Sequence, residues 1–279
     1  MNTTAWRPFP EFCDSRIPDA PFPFGYADDY LPEDLLTILE ATFLDPAGHD
    51  RLNVLGKGKK RVMFRAPPVP DFVADAGPAW VDAVRTVSSR EFMEPTWAAI
   101  RDILAAEPLP SGPYQDLVSE QLALAVDDLL VQVEFSSLEA GSYLPPHTDA
   151  ADKLLSCVFY LPQDDWVAEW GGRTEVYVPL PTTDGEPAGP NWRNRIGTPD
   201  EVQTVDSVAF ERNRMFWFVK TANSWHGVSP VSAPPGIGRR SFNVSIALRP
   251  ETLERPRLAE LVRTVVAFEE AYPLGTVAP

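Results

Sequence analysis

His147 and Asp149, separated only by Thr148, offer an imidazole and a carboxylate two residues apart. Along an extended strand, side chains at i and i+2 leave the same face, so such a pair can address one point in space. A distant histidine, His226 in Ser224-Trp225-His226-Gly227-Val228, can complete a face of three ligands. Two histidines and one carboxylate with open positions suit a non-haem Fe(II) that must bind O2 and a co-substrate together. An isolated H-x-D is also common among solvated loop residues, and here the surroundings decide. His147 follows an apparent strand from Leu130 to Leu138 and a turn at Glu139-Ala140-Gly141-Ser142, and His226 follows the apolar run Met215-Phe216-Trp217-Phe218-Val219. The third histidine, His49, lies in the turn-like Asp45-Pro46-Ala47-Gly48-His49-Asp50 and reads as a surface residue.

The elements that must position these groups are partly visible as periodicity. From Arg239 to Leu248, Arg239, Ser241, Asn243 and Ser245 alternate with Phe242, Val244, Ile246 and Leu248. This is the period-two signature of a half-buried strand. Its apolar face should pack on helices, which turns Arg239 inward with Ser241 beside it and leaves Arg240 outside. A buried arginine needs an anionic partner, and its planar fork suits a carboxylate. That carboxylate is either one of the chain's own acids or part of a ligand, with Arg240 as the substitute candidate.

Helical spacing appears in Leu35, Ile38, Leu39 and Phe43 after Pro32, which suits a first helical position. Helical regions are also expected over 79–106 with an interruption near Pro95, over 114–126, and at the C-terminus through Leu258, Leu261, Val262, Val265 and Val266.

An ordered set of pieces between Leu130 and Leu248 resembles the 2-oxoglutarate/Fe(II)-dependent oxygenases, in particular their prolyl-4-hydroxylase-like branch. The pieces are His147-Thr148-Asp149, Phe159-Tyr160-Leu161-Pro162 with Asp165-Trp166, and Trp170-Gly171-Gly172-Arg173-Thr174-Glu175-Val176-Tyr177. Asn213-Arg214-Met215-Phe216-Trp217-Phe218, Trp225-His226-Gly227-Val228-Ser229-Pro230-Val231 and Arg239-Arg240-Ser241-Phe242-Asn243 complete the set. The resemblance implies a mainly β fold with supporting helices, built on a double-stranded β-helix (jelly-roll, cupin-like) core. It implies one oxygenase domain over 1–279, with 1–129 as helical support and lid, 130–249 as the core and 250–279 as a closing helix.

The resemblance also implies roles. His147, Asp149 and His226 would be catalytic and bind Fe(II). Arg239 would hold the distal carboxylate of the co-substrate 2-oxoglutarate with help from Ser241, and O2 would be the second co-substrate. Tyr160 stands where prolyl hydroxylases carry a co-substrate-binding tyrosine; the alternative is a core tyrosine. Several relatives have a further tyrosine on the strand before the H-x-D, where this chain has Leu138, so Gln132, Glu134 or Ser136 are candidate replacements. Related halogenases have a small residue in place of Asp149, so hydroxylation is expected over halogenation.

Two segments could meet the substrate. Gly56-Lys57-Gly58-Lys59-Lys60-Arg61 is a basic cluster flanked by glycines, either a solvated face or a lid whose Lys59, Lys60 and Arg61 contact an anionic group. It lacks the spacing of a phosphate-binding P-loop. The insertion from Pro181 to Glu201 carries Trp192, Arg193 and Arg195, which could clasp a substrate. The expected activity is hydroxylation of an unactivated C–H bond in a small molecule such as a free amino acid or natural-product intermediate. A peptidyl or prolyl hydroxylase and a non-catalytic ligand-binding barrel are the alternatives.

Composition fits this reading. With 44% hydrophobic residues in 279, the chain can bury a full core. A net charge of −16 argues against nucleic acid or an anionic membrane as the partner. Two cysteines, Cys13 and Cys157, provide no disulfide framework, and Cys157 reads as a small buried residue. No signal-peptide pattern or bilayer-length apolar run is seen, so cytoplasmic residence is expected.

Overall fold

The structure is a computed structural model that describes residues 6–11, 15–108, 112–163, 166–181 and 191–271. In chain order, β1 (Phe24–Ala27) precedes α1 (Glu33–Ala41), and β2 (Asn53–Leu55) and β3 (Lys59–Ala66) follow. Next come α2 (Asp71–Ala76), α3 (Pro78–Val87), α4 (Arg90–Ala106) and α5 (Tyr114–Leu122). The barrel strands are β4 (Leu129–Leu138), β5 (Leu144–His147), β6 (Lys153–Tyr160), β7 (Thr174–Pro179), β8 (Val202–Val208), β9 (Met215–Val219), β10 (His226–Val228) and β11 (Arg239–Leu248). The chain closes with α6 (Pro250–Leu253) and α7 (Pro256–Ala271).

Two antiparallel sheets face each other. The larger has the order β1-β9-β6-β11-β4-β3-β2 and the smaller β5-β10-β7-β8. Strands distant in sequence lie side by side, as a double-stranded β-helix requires. At the centre of the larger sheet, β11 pairs with β4 from Arg239 opposite Leu138 to Leu248 opposite Leu129, and with β6 on its other edge.

Alternation then sorts the residues. Val133, Phe135, Phe242, Val244, Ile246 and Trp217 join the helical residues Trp80, Val84, Trp97 and Ile100 in one buried cluster. Fully burying each large apolar side chain contributes about 1.5–3 kcal/mol, so this layer dominates the stability of the sheet. The opposite face, with Ser241, Asn243 and Ser245, turns to the space between the sheets.

The first 129 residues are more than helical support. β1, β2 and β3 extend the larger sheet at both of its edges. The alternation of β3 is hard to see in sequence because Lys59 and Arg61 occupy the face that meets Glu134. The interruption expected near Pro95 falls instead at Ser88 and Ser89. Ser89 caps α4 by accepting from the Phe92 amide, whereas Pro95 lies inside that helix. α5 ends at Leu122, before a separate short turn at Val126–Asp128. His49 is half-buried, its ring edge-on to Phe72 at 4.6 Å between centroids, rather than free on the surface. Cys157 is buried as expected, and Cys13 and Asp165 lie outside the described residues. Among the described residues no helix is long and apolar enough to cross a membrane.

Candidate metal centre and cleft

β5 and β10 are antiparallel neighbours with His147 directly opposite His226. The two rings lie 4.3 Å apart between centroids. Close approach of these strands depends on Gly227, where a Cβ would stand 2.6 Å from the Leu144 carbonyl oxygen. The carboxylate arrives differently from the sequence expectation. β5 ends at His147, and Asp149 adopts a left-handed φ of 69°, so a turn after the strand, not alternation along it, brings Asp149 back. Asp149 Oδ1 then lies 3.6 Å from His147 Nε2, and one ligand atom from each of His147, Asp149 and His226 falls within 4.8 Å of the others.

The remaining atoms of these side chains are occupied. His147 Nδ1 lies 3.0 Å from the Pro145 carbonyl and His226 Nδ1 2.8 Å from the Ser224 carbonyl. A carbonyl can only accept, so each imidazole carries a proton on Nδ1, which leaves Nε2 as the atom turned to the metal position. Asp149 Oδ2 accepts from Lys153 Nζ and Ser156 Oγ, each at 3.0 Å, leaving Oδ1 free of those two donors. Burial alone would raise the Asp149 carboxyl, but Lys153 and the two histidines hold it well below the usual carboxylate range. Burial, with His147 alongside, pushes His226 down to about 3, so its ring stays neutral. Neutral imidazoles and an ionised carboxylate are the protonation states that bind a divalent metal.

Deeper in the same cleft lies Arg239, 2% exposed. Its Nε donates to the Gly172 carbonyl at 2.6 Å and its NH2 to Thr174 Oγ1 at 3.1 Å. Its guanidinium sits over the rings of Tyr160 and Phe210, 5.0 and 4.7 Å from their centroids. Gly172, at φ 66°, lets the backbone come this close, since a Cβ there would stand 3.1 Å from Arg239 Cδ. Burial pulls the guanidinium down, yet it remains a cation. Among the described residues it has no carboxylate partner, so pairing with one of the chain's acids is not what the structure shows. Arg240 points to the other side, over the Phe43 ring. Ser241 lines the cleft and shares a 2.8 Å hydrogen bond with Ser136.

Other expectations need correction. Tyr160 stands behind Arg239 with its hydroxyl bonded to Thr174, and Thr174 is the residue on the cleft wall. Thr174, Lys153 and Ser156 are cleft polar groups that no sequence motif marks. Lys153, four residues after Asp149, was the legible signal, because a turn returns such a residue to the carboxylate. The 56–61 segment is not a free lid. Lys59, Lys60 and Arg61 start β3, with Lys59 Nζ 2.6 Å from Glu134 Oε1, Arg61 3.1 Å from Glu134 Oε2, and Lys60 2.6 Å from Glu139 on the opposite face.

Of the three, Lys59 lines the cleft. Glu134, already committed to these cations, is unsuited to replace a tyrosine contact to an anionic co-substrate. Trp192 and Arg193 face α7 and not the cleft, and residues 182–190 of that insertion lie outside the described ones.

Burial alone would raise Glu134, but Lys59, Lys153 and Arg61 hold it at about 2 against an ordinary 4.5. A depressed carboxylate contributes stability that is present above pH 4.5 and lost as pH falls towards 2. Glu134→Gln should therefore destabilise the fold at pH 7 by about 3 kcal/mol, since it leaves two cations facing a neutral amide. Urea unfolding of both proteins checks this. The gap should narrow below pH 4.5, and equal stability at pH 7 would show the pair contributes nothing.

Residues 133–246 match the family model of the 2OG-Fe(II) oxygenase superfamily. Over these residues the barrel is similar to the 2OG-Fe(II) oxygenase superfamily. With the superfamily come dioxygenase activity and the use of Fe(II), 2-oxoglutarate and O2. Comparison with curated proteins found no match. Among solved structures the chain is similar to a prolyl-4-hydroxylase of Pseudomonas putida, at 16% identity over 81% of this chain and 92% of that one, with a TM-score of 0.44. It is also similar to a Trichoplax adhaerens prolyl hydroxylase in complex with a hypoxia inducible factor oxygen degradation domain peptide fragment. There the identity is 12% over 83% and 87% of the two chains, with a TM-score of 0.47.

Proposed function

We propose that His147, Asp149 and His226 hold Fe(II), that Arg239, Thr174 and Ser241 receive the distal carboxylate of 2-oxoglutarate, and that the enzyme hydroxylates a small, amino-acid-like molecule. The donor set fits the metal because the Nε2 atoms and Asp149 Oδ1 converge while the other polar atoms are engaged. Arg239 fits the co-substrate because a buried fork without a carboxylate of its own recognises one brought by a ligand. Bound together, these groups supply oxidative decarboxylation of the keto acid coupled to oxidation of a substrate C–H bond. The protein's part is positioning. Lys153 and Ser156 orient Asp149, Pro145 and Ser224 fix the two imidazoles, and Phe216 and Phe218 keep that side of the cleft apolar.

The observation that carries the substrate class is the cleft wall beyond the metal ligands, where Lys59, Glu134, Gln132 and Asn243 all face inward. Asn243 Nδ2 donates to Glu134 Oε1 at 2.7 Å, so ammonium, carboxylate and amide stand together. Such a wall complements a substrate that carries both charges. Its cations Lys59, Lys153 and Arg239 outnumber the carboxylates Glu134 and Asp149, in a chain of net charge −16. Anionic and zwitterionic molecules are thus drawn to this one place.

Succinate release with Fe(II) and 2-oxoglutarate, measured against free amino acids, their N-acyl forms and prolyl peptides, tests the reading. Stimulation by the free amino acids is expected. Stimulation by prolyl peptides alone would replace it with a peptidyl hydroxylase.

A further inference from the structure

The loop that carries Asp149 is held from outside the cleft. Thr148, fully buried between two of the proposed ligands, donates its amide to Asn194 Oδ1 at 3.2 Å and its hydroxyl to the Asn191 carbonyl at 2.6 Å. Its own carbonyl accepts from Ser224 Oγ at 3.2 Å. All three polar groups of Thr148 are thereby spent on fixing the peptides on either side of it. The next residue, Asp149, needs this. A non-glycine residue at a φ of 69° is held there only when its surroundings over-determine it.

The clamp is itself anchored on α7. Glu269 is 1% exposed, and its two carboxylate oxygens accept the backbone amides of Trp192 and Arg193, the residues that lie between Asn191 and Asn194. Tyr114 of α5 donates to the same carboxylate at 2.8 Å. Within the turn, Asn191 accepts from the Arg195 amide and donates to the Arg195 carbonyl, both at 2.8 Å. Lys220, buried at the end of β9, approaches the Asn191 carbonyl at 3.5 Å with its Nζ over the Trp192 ring. A carboxylate that receives two backbone amides is a stronger anchor than a neutral group, because charge-assisted hydrogen bonds are roughly twice as strong.

We infer that Glu269 is a positioning residue for the iron centre, acting from the C-terminal helix through the 191–194 turn and Thr148 on the placement of His147 and Asp149. Trp192 and Arg193 thus serve the metal loop and do not clasp the substrate. The inference rests on the ligand assignment made above.

The test is a Mn(II) titration of the full-length protein, followed by electron paramagnetic resonance, for wild type, Glu269→Ala, Glu269→Gln and Asn194→Ala. Partners of a metal ligand's support typically contribute ten- to a hundredfold to affinity. Glu269→Ala should therefore weaken Mn(II) binding by about tenfold or more. Glu269→Gln keeps one acceptor oxygen and should recover part of that loss. A role confined to holding the helix would lower the melting temperature without moving the Mn(II) affinity of the folded protein. Unchanged affinity in folded Glu269→Ala would overturn the inference. If that variant does not fold, Asn194→Ala decides, because it cuts the same chain at the turn, and wild-type affinity there would overturn it equally. Failure of wild type to bind Mn(II) would overturn the ligand assignment and this inference together. Loss of binding on His226→Ala with no change on Glu269→Ala would overturn this inference alone.

Discussion

His147→Ala and His226→Ala should each reduce succinate formation by on the order of a thousandfold or more, since residues that merely support ligands already contribute ten- to a hundredfold. The two histidines face each other across β5 and β10, and each Nε2 points away from the carbonyl that fixes its ring. Removing either leaves one imidazole and one carboxylate, too few to hold Fe(II) against water. The measurement pairs metal content with turnover. Both should fall together, while the fold persists because the cluster around Phe135 and Phe242 lies on the far side of the larger sheet. Wild-type-like turnover with unchanged metal content in either variant would sink the ligand assignment. Asp149→Asn should also lose metal, and it leaves Lys153 facing an amide in place of its anion.

Much of this centre was legible because its parts are carried by short local patterns. Arg239, Ser241, Asn243 and Ser245 alternate with apolar residues without a break, and the structure places all four on the cleft wall. What the pattern could not show was how distant segments neutralise one another. Lys59 and Arg61 read as a mobile basic run because their anion, Glu134, is more than seventy residues away and pairs with them only across β3 and β4. Trp192 and Arg193 read as substrate-facing for the same reason. Their partner Glu269 belongs to a helix whose apolar stripe was visible but whose single buried carboxylate looked like any surface acid. The H-x-D meets His226 as expected, but by another route. Strand alternation was the assumption, and a left-handed turn at Asp149 is what the chain uses.

Arg239→Ala should raise the KM for 2-oxoglutarate by about ten- to a hundredfold, with a smaller effect on the substrate's own KM. A hydrogen bond to a charged group contributes about 1.5–3 kcal/mol, and each 1.4 kcal/mol is a factor of ten. Because this guanidinium is buried, solvent does little to screen the loss. Its orientation is set by the Gly172 carbonyl, Thr174 and the rings of Tyr160 and Phe210, so charge alone is not enough. Arg239→Lys should therefore recover only part of the affinity, as a point charge cannot reach both the Gly172 carbonyl and Thr174 while facing a carboxylate. Arg240→Ala, whose guanidinium lies over Phe43 on the helical side, should change the KM by less than about twofold. Initial rates at varied 2-oxoglutarate and fixed substrate distinguish the three variants. A large effect at Arg240 with none at Arg239 would mean that β11 is turned by one residue, because a single-residue slip moves every side chain to the opposite face. Ser241, Asn243 and Ser245 would then leave the cleft wall, and the proposed recognition of 2-oxoglutarate and of a zwitterionic substrate would fail together.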